Sequence, residues 1–208
     1  ITLSKAARME LQPSLEALTS VMNQFGLGAE KSLDVVNRLT GGEIVGSVRT
    51  SAAVEYLKEF GGVASGMNVS VAESIGLIET LGIKLKGDKI GVGARNILTK
   101  ISAAGGMDKK ALLDMKSAGV NVKYLMDNTN SLSDRLHELS KISKDPIKMI
   151  SVFGNENIAA ANAIFQNLSV YDKFTKQIEV TNEAEKQAAV NSRTLSIAID
   201  QLKNKFAN

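Results

Sequence analysis

Residues 61–98 decide the fold, and they read GGVASGMNVSVAESIGLIETLGIKLKGDKIGVGARNIL. Apolar residues recur there at three- and four-residue steps, as in Ile75, Ile78 and Leu81, which is typical of a helix with one apolar face. Glycines stand between these helical blocks, where they allow the backbone to leave the helix. The segment therefore predicts short helices separated by glycine turns.

The composition of the whole chain favours the same kind of structure. Of its 208 residues, 44% are hydrophobic but only 4% are aromatic, and there are two prolines and no Trp or Cys. Leu, Ile, Val, Met and Ala pack well as helical layers, and few prolines interrupt them. The lack of cysteine excludes disulfides and thiolate metal sites. We predict an all-α fold, an irregular multi-helix bundle of short glycine-separated helices with a long C-terminal helix.

The chain begins at Ile1 rather than Met, so we expect it to be a piece of a longer polypeptide. Changes in the helical pattern divide it into three parts. These are an N-terminal helical segment at residues 1–43, a core helical domain at residues 44–168, and a long helix at residues 169–208 that starts a rod or coiled coil.

In the first part, six apolar residues at helical spacing predict a helix or helix pair: Met9, Leu15, Leu18, Val21, Met22 and Phe25. A second helix is predicted over residues 30–39, with Leu33, Val36 and Leu39 on one face. Gly41 and Gly42 follow it and are expected to end it.

Later breaks come from capping residues and proline. Asp108 is a suitable N-cap for a helix over residues 109–118, and Gly119 is expected to end that helix. Residues 120–125 alternate apolar and polar side chains and predict a short strand or extended segment. Pro146 disfavours a helical residue before it and predicts a break at that point.

The last segment has the most regular pattern. From Tyr171 to Phe206, steps of three and four residues are typical of coiled-coil heptads, and no Gly or Pro follows Gly154. The pattern predicts a helix of 36 residues or more, about 54 Å long at ~1.5 Å per residue. Two interpretations stay open, a helix that folds back on the domain and a rod that continues beyond Asn208. The thin apolar face predicts weak protection from amide exchange, whereas slow exchange throughout residues 180–208 would favour folding back.

A local excess of basic residues raises an alternative function. Residues 84–123 hold nine Lys or Arg against three Asp, a net charge of +6. Such clusters bind phosphate backbones by displacing counterions. No aromatic residue lies between Phe60 and Tyr124 to stack on bases, and the cations follow no single helical stripe. We therefore expect a solvated surface, with a helical nucleic-acid-binding module as the alternative.

Residue types that carry chemistry are sparse. His137 is the only histidine and lacks the Cys or second His of a zinc site, so we interpret it as a surface or boundary residue. The run at residues 87–93 resembles a phosphate loop but lacks the Gly-Lys-Ser or Gly-Lys-Thr ending, and its small residues suit close helix contacts. The acidic pairs at residues 55 and 59, and 179 and 183, are interpreted as solvated helix faces. We predict no catalytic, cofactor-binding or metal-binding residues.

The order of these elements resembles the core of phage tail tape measure proteins. In that family a helix ends in a Gly-Ile turn, a short linker carries Gly, and a second helix opens with small residues and an Arg. The matching elements here are Leu81-Gly82-Ile83, Lys86-Gly87-Asp88, and the run from Gly91 to Leu98 with Arg95. The likeness extends more loosely over residues 45–175. The turn at residues 85–91 is bulkier and more charged than the usual family linker.

The resemblance implies a structural virion protein that is not an enzyme and needs no cofactor. Members of the family lie inside the tail while tube subunits polymerise around them, so that the extended protein sets tail length. The implied partners are further copies of the protein, tail tube subunits, tail-tip proteins and tail assembly chaperones. The implied locations are the bacterial host cytoplasm during assembly and then the phage tail.

Overall fold

The computed structural model describes residues 2–6 and 10–181, and these residues form helices and turns without any strand. The all-α prediction is confirmed. The helices in chain order are α1 (Thr2–Ala6), α2 (Leu11–Gln24), α3 (Ser32–Val45), α4 (Thr50–Gly66), α5 (Val71–Gly82), α6 (Lys89–Ser102), α7 (Lys109–Ser117), α8 (Val122–Met126), α9 (Leu132–Leu139), α10 (Pro146–Phe165) and α11 (Leu168–Glu179).

Helix α5 is the centre of the fold. Every residue from 71 to 81 is buried, because α3, α4, α6, α10 and α11 all pack against it. The sequence of α5 suits this buried position because it has apolar residues on several sides of the helix, including Ile75, Leu77 and Ile78. Its first turn is closed by a capping box in which Ser70 and Glu73 bond each other's backbone amides. A helix buried on all sides in this way fixes the arrangement of the helices around it.

The prediction that Gly41 and Gly42 end a helix is wrong, because α3 continues through them to Val45. These glycines instead permit close contacts between helices. A Cβ on Gly42 would overlap Cγ2 of Ile75 in α5, and one on Gly41 would overlap Thr181. The local pattern could not distinguish a glycine that ends a helix from one that a neighbour approaches.

We expect Gly42→Ala to lower the free energy of unfolding by about 1–3 kcal/mol, because the added methyl overpacks the buried Ile75 side chain. The control is Gly62→Ala in α4, where an added Cβ meets nothing within 4 Å. That change should stabilise by up to about 1 kcal/mol through helix propensity. Urea unfolding of both variants measures the difference, and equal effects would show that Gly42 is not a packing glycine.

The first two predicted helices are present, and their predicted apolar faces are largely buried. Val21 and Met22 of α2 and Val36 and Leu39 of α3 lie in the core as predicted. Two predicted positions do not, because Leu15 is 63% exposed and Leu33 is 48% exposed. Both helices have more apolar positions than they bury, so spacing alone did not identify these two exposed residues.

The breaks predicted from capping residues are confirmed. Asp108 accepts a hydrogen bond from the Ala111 amide at 2.8 Å, and Gly119 follows α7 with a φ of +78°. Pro146 is the first residue of α10, where its missing amide proton is not needed. Helix α10 is interrupted at Gly154, which has a φ of +71°.

Two predictions of element type are corrected. Residues 120–125 do not form a strand, because the Asn121 side chain accepts from the Tyr124 amide at 3.2 Å and starts the short helix α8. The helix predicted from Tyr171 onward begins at Leu168 and ends at Glu179. At that end Arg38 donates to the Ile178 carbonyl at 2.7 Å and satisfies one of the free C-terminal groups. The rest of the predicted heptad pattern lies outside the described residues.

Candidate functional site

His137 has a polar side-chain partner, Asp172, that the sequence did not indicate. Its Nε2 lies 2.8 Å from an Asp172 carboxylate oxygen, and the other oxygen of Asp172 accepts from Ser133. Asp172 therefore stands between the serine and the histidine. A nucleophilic triad needs the histidine in that position to remove the serine proton. The arrangement fastens α9 to α11 and does not activate Ser133.

The other acidic positions singled out by the sequence lie at the surface. Glu55 pairs with Lys58 at 2.7 Å, and Glu59 pairs with Arg95 of α6 at 3.2 Å. Glu179 is exposed at the end of α11, while residue 183 lies outside the described part. Within residues 2–6 and 10–181, no group of three or more His, Asp or Glu side chains could hold a metal ion.

The run at residues 87–93, which resembles a phosphate loop, contains one glycine in a turn and two at close contacts between helices. Gly87 forms a turn with a φ of +59° between α5 and α6. Gly91 lies against Tyr56 and Glu59 of α4, and a Cβ on Gly93 would lie 3.0 Å from the Ala160 Cβ of α10. The interpretation that these small residues let helices approach closely is confirmed.

The basic region at residues 84–123 does not form one uninterrupted cationic surface. Arg95 is paired with Glu59, and Lys110 is paired with Asp114 at 2.9 Å. Lys84, Lys86 and Lys89 are exposed around the turn between α5 and α6. This arrangement gives the nucleic-acid alternative no support.

The most elaborate polar site is buried where α9 meets the turn between α4 and α5. Arg135 has no exposed surface, and its guanidinium donates to the Met67 carbonyl at 3.1 Å and to the Asn128 side chain at 3.3 Å. Burial lowers the pKa of Arg135, and the nearby Glu73 carboxylate opposes that shift. An arginine guanidinium stays charged in proteins, and this one ties three segments together through its hydrogen bonds.

Glu73 is the acidic side of this site. One oxygen accepts from the Leu132 amide at 2.7 Å, and the other accepts from the Ser70 amide at 2.9 Å. One carboxylate thus joins the first turns of α5 and α9. We define Glu73, Asn128 and Arg135 together with the backbone groups they bind as the buried polar network.

Helix α11 covers one side of this network with Tyr171. The Tyr171 side chain is fully buried, and burial raises the pKa of its hydroxyl well above the ordinary value, with Glu73 acting in the same direction. Thr175 lies beside it, one turn later, against Gly76 of α5.

A second buried carboxylate holds the connection between α3 and α4. One oxygen of Glu79 accepts from the Ser47 amide at 2.8 Å and from the Val48 amide at 3.0 Å. The other oxygen has no hydrogen-bond partner among the described residues. Burial raises the pKa of Glu79 to about 7, the two backbone hydrogen bonds oppose the shift, and Glu43 adds to it. Gly46 leaves the space that this carboxylate occupies.

Local sequence patterns did not identify Glu73, Glu79 and Arg135 as buried charged residues. The Ser70-x-x-Glu73 spacing is a capping-box signal that could have located Glu73. Arg135 lies next to Leu136 in an ordinary amphipathic helix, and nothing local distinguishes it from a surface arginine. The buried polar network positions backbone segments, which is a structural task.

Comparison with known proteins agrees with a structural role. The model of the phage-related minor tail protein family matches residues 1–191. No curated protein and no solved structure gives a match. Within the described residues, no helix combines the length and apolar character that crossing a membrane requires. Since the family match covers most of its length, the chain belongs to the family of phage-related minor tail proteins.

Proposed function

We propose that this chain is the globular helical region of a tape measure protein, which sets the length of a phage tail during assembly. Membership of a minor tail protein family supports a structural role in the tail. The observation that carries the finer proposal is the helical hairpin of α5 and α6. Its Gly-Ile turn follows Leu81, its linker glycine is Gly87, and its second helix contains small residues and Arg95.

The physical basis of the proposal is that a helix converts residue number into distance at a nearly fixed rise. An extended helical protein inside the tail lumen therefore acts as a ruler for the tube that polymerises around it. In this proposal the present chain is a folded region attached to that ruler, and it has no enzymatic task. The close packing of α3, α4, α6 and α10 around α5 suits a part that stays folded while the ruler extends.

The proposal also specifies partners and locations. The partners are further copies of the same protein, tail tube subunits, tail-tip proteins and tail assembly chaperones. The protein acts in the bacterial host cytoplasm during assembly and remains in the virion tail. No small-molecule substrate or cofactor takes part.

The test is to delete about 70 residues of the helical region downstream of this chain in the full-length protein and to measure tails by negative-stain microscopy. We expect tails shorter by about 100 Å, since each helical residue contributes ~1.5 Å. Duplicating the same segment is the matched control and should lengthen tails by the same amount. Tails of unchanged length in both variants would refute the ruler role.

A further inference from the structure

The inner face of α11 carries two hydroxyl groups that are buried but not satisfied. Tyr171 is fully buried and Thr175 is 8% exposed. The two hydroxyls interact with each other, but neither reaches the geometry of a hydrogen bond, with each other or with any other described residue. A buried polar group without a partner costs free energy that is recovered when water reaches it. The contact between α11 and α5 is therefore weaker than its buried area alone indicates.

The attachments at the edges of α11 are polar. Asp172 binds Ser133 and His137, and the side chains of His137 and Asp172 are 50% and 39% exposed. An exposed contact of this kind contributes little to stability. At the other end, Arg38 has a side chain that is 19% exposed, and it divides its guanidinium between the Ile178 carbonyl and Asp34.

The connection before α11 can act as a hinge. Gln166 and Asn167 lie between α10 and α11, and Asn167 has non-helical angles, with φ −128° and ψ 26°. Residues at the ends of helices are where proteins absorb the backbone rotation of a rigid-body movement. Helix α11 can thus move as a unit without disrupting α10.

We propose that α11 is a strap that detaches from α5 as a unit, turning at Asn167 and uncovering the face of α5 that carries Glu73 and Gly76. The unsatisfied hydroxyls of Tyr171 and Thr175 limit how firmly the strap is held. In the proposed tape measure protein, detachment adds the twelve residues of α11 to the extended part of the chain. That consequence rests on the proposed function, whereas detachment itself does not.

Amide hydrogen exchange of the 208-residue chain tests the strap directly. Helices α5 and α11 have twelve residues each, so their protection can be compared segment against segment. We expect amides of α11 to exchange at least tenfold faster than those of α5, because they open without global unfolding. Equal protection of the two helices would overturn the proposal.

The role of the two hydroxyls is tested by the double variant Tyr171→Phe with Thr175→Val. Removing both hydroxyls together leaves no partner behind, so we expect exchange in α11 to slow at least fivefold while α5 is unchanged. The matched control is Thr80→Val, because the buried Thr80 hydroxyl is satisfied by the Gly76 carbonyl at 2.7 Å. It should not slow exchange in α11. Unchanged or faster exchange in the double variant would overturn the proposal.

A reversible disulfide between α9 and α11 provides a further test of the strap. The chain has no cysteine, and the Ser133 and Asp172 side chains are in hydrogen-bond contact. The variant Ser133→Cys with Asp172→Cys places a single pair of thiols there, and thiol titration after oxidation verifies that the disulfide has formed. Oxidation should slow exchange in α11 to the rate of α5, and reduction should restore fast exchange. Identical exchange in the two redox states would overturn the proposal. These exchange measurements all use the isolated chain, so their failure would leave the tail-length test unaffected. Failure of the tail-length test would likewise leave the exchange results unaffected.

Discussion

Replacing Arg135 with methionine is expected to lower the free energy of unfolding by about 3–5 kcal/mol, because removing one partner of a buried charged site leaves the others unpaired. The variant lacks the guanidinium N–H groups that donate to the Met67 carbonyl and to the Asn128 side chain. The Glu73 carboxylate also loses its electrostatic attraction to Arg135. Methionine replaces the aliphatic stem of arginine but not its guanidinium, so the space left at the buried site adds to the loss of charge and hydrogen bonds. Urea unfolding followed by far-ultraviolet dichroism measures the change.

The control for Arg135 is Arg95→Met, which removes an arginine whose ion pair with Glu59 is exposed. Surface pairs of this kind contribute about 0–1 kcal/mol. Adding Glu73→Gln to Arg135→Met should recover part of the loss, since it removes the unpaired buried charge while the amide oxygen can still accept from Leu132. The recovery is only partial, because the amide nitrogen cannot accept from the Ser70 amide. If Arg135→Met costs no more than Arg95→Met, the buried polar network does not hold the fold together.

The outline of the fold could be predicted because its signals are local. Helix ends are set by an N-capping side chain at Asp108, by the left-handed backbone of Gly119 and by the absent amide proton of Pro146. Each of these effects depends only on neighbouring residues. The structure places all three as predicted. The all-α class follows from the same kind of information.

The errors have a common physical cause, which is that tertiary contacts decide what local patterns leave open. Gly42 is interior to α3 because Ile75 lies against it, and sequence spacing contains no record of that contact. Residues 120–125 alternate like a strand, but the Asn121 cap and burial of Leu125 select a helix. Arg135 is buried because Met67 and Asn128, distant in sequence, supply its acceptors.

Glu79 is the residue from which we expect the largest dependence of stability on pH. Its pKa is about 7 in the folded chain against 4.5 for an ordinary glutamate. Because the folded value is the higher one, the protonated form is favoured by folding. The contribution to stability is therefore fully present below about pH 4.5 and is lost as the pH rises through 7. At ~1.4 kcal/mol per pKa unit, the loss by pH 8 is about 3 kcal/mol.

Glu79→Gln should remove this dependence. The amide oxygen can accept from the Ser47 and Val48 amides as the carboxylate does, while no charge forms in the buried site. We expect the variant to match the parent chain at pH 5 and to exceed its free energy of unfolding at pH 8 by about 3 kcal/mol. Urea unfolding at pH 5, 6, 7 and 8 gives both curves.

The comparison is made in a His137→Gln background, so that the single histidine of the chain does not contribute to either curve. Glu43→Gln is the matched control on the same connection. Glu43 accepts from the Thr50 amide and hydroxyl near Glu79, so removing its charge should lower the pKa of Glu79 and weaken the dependence without abolishing it. Parallel curves for the parent chain and Glu79→Gln would mean that water or a movement of residues 46–48 solvates the carboxylate. In that case the Glu79 contact would not fix the connection between α3 and α4.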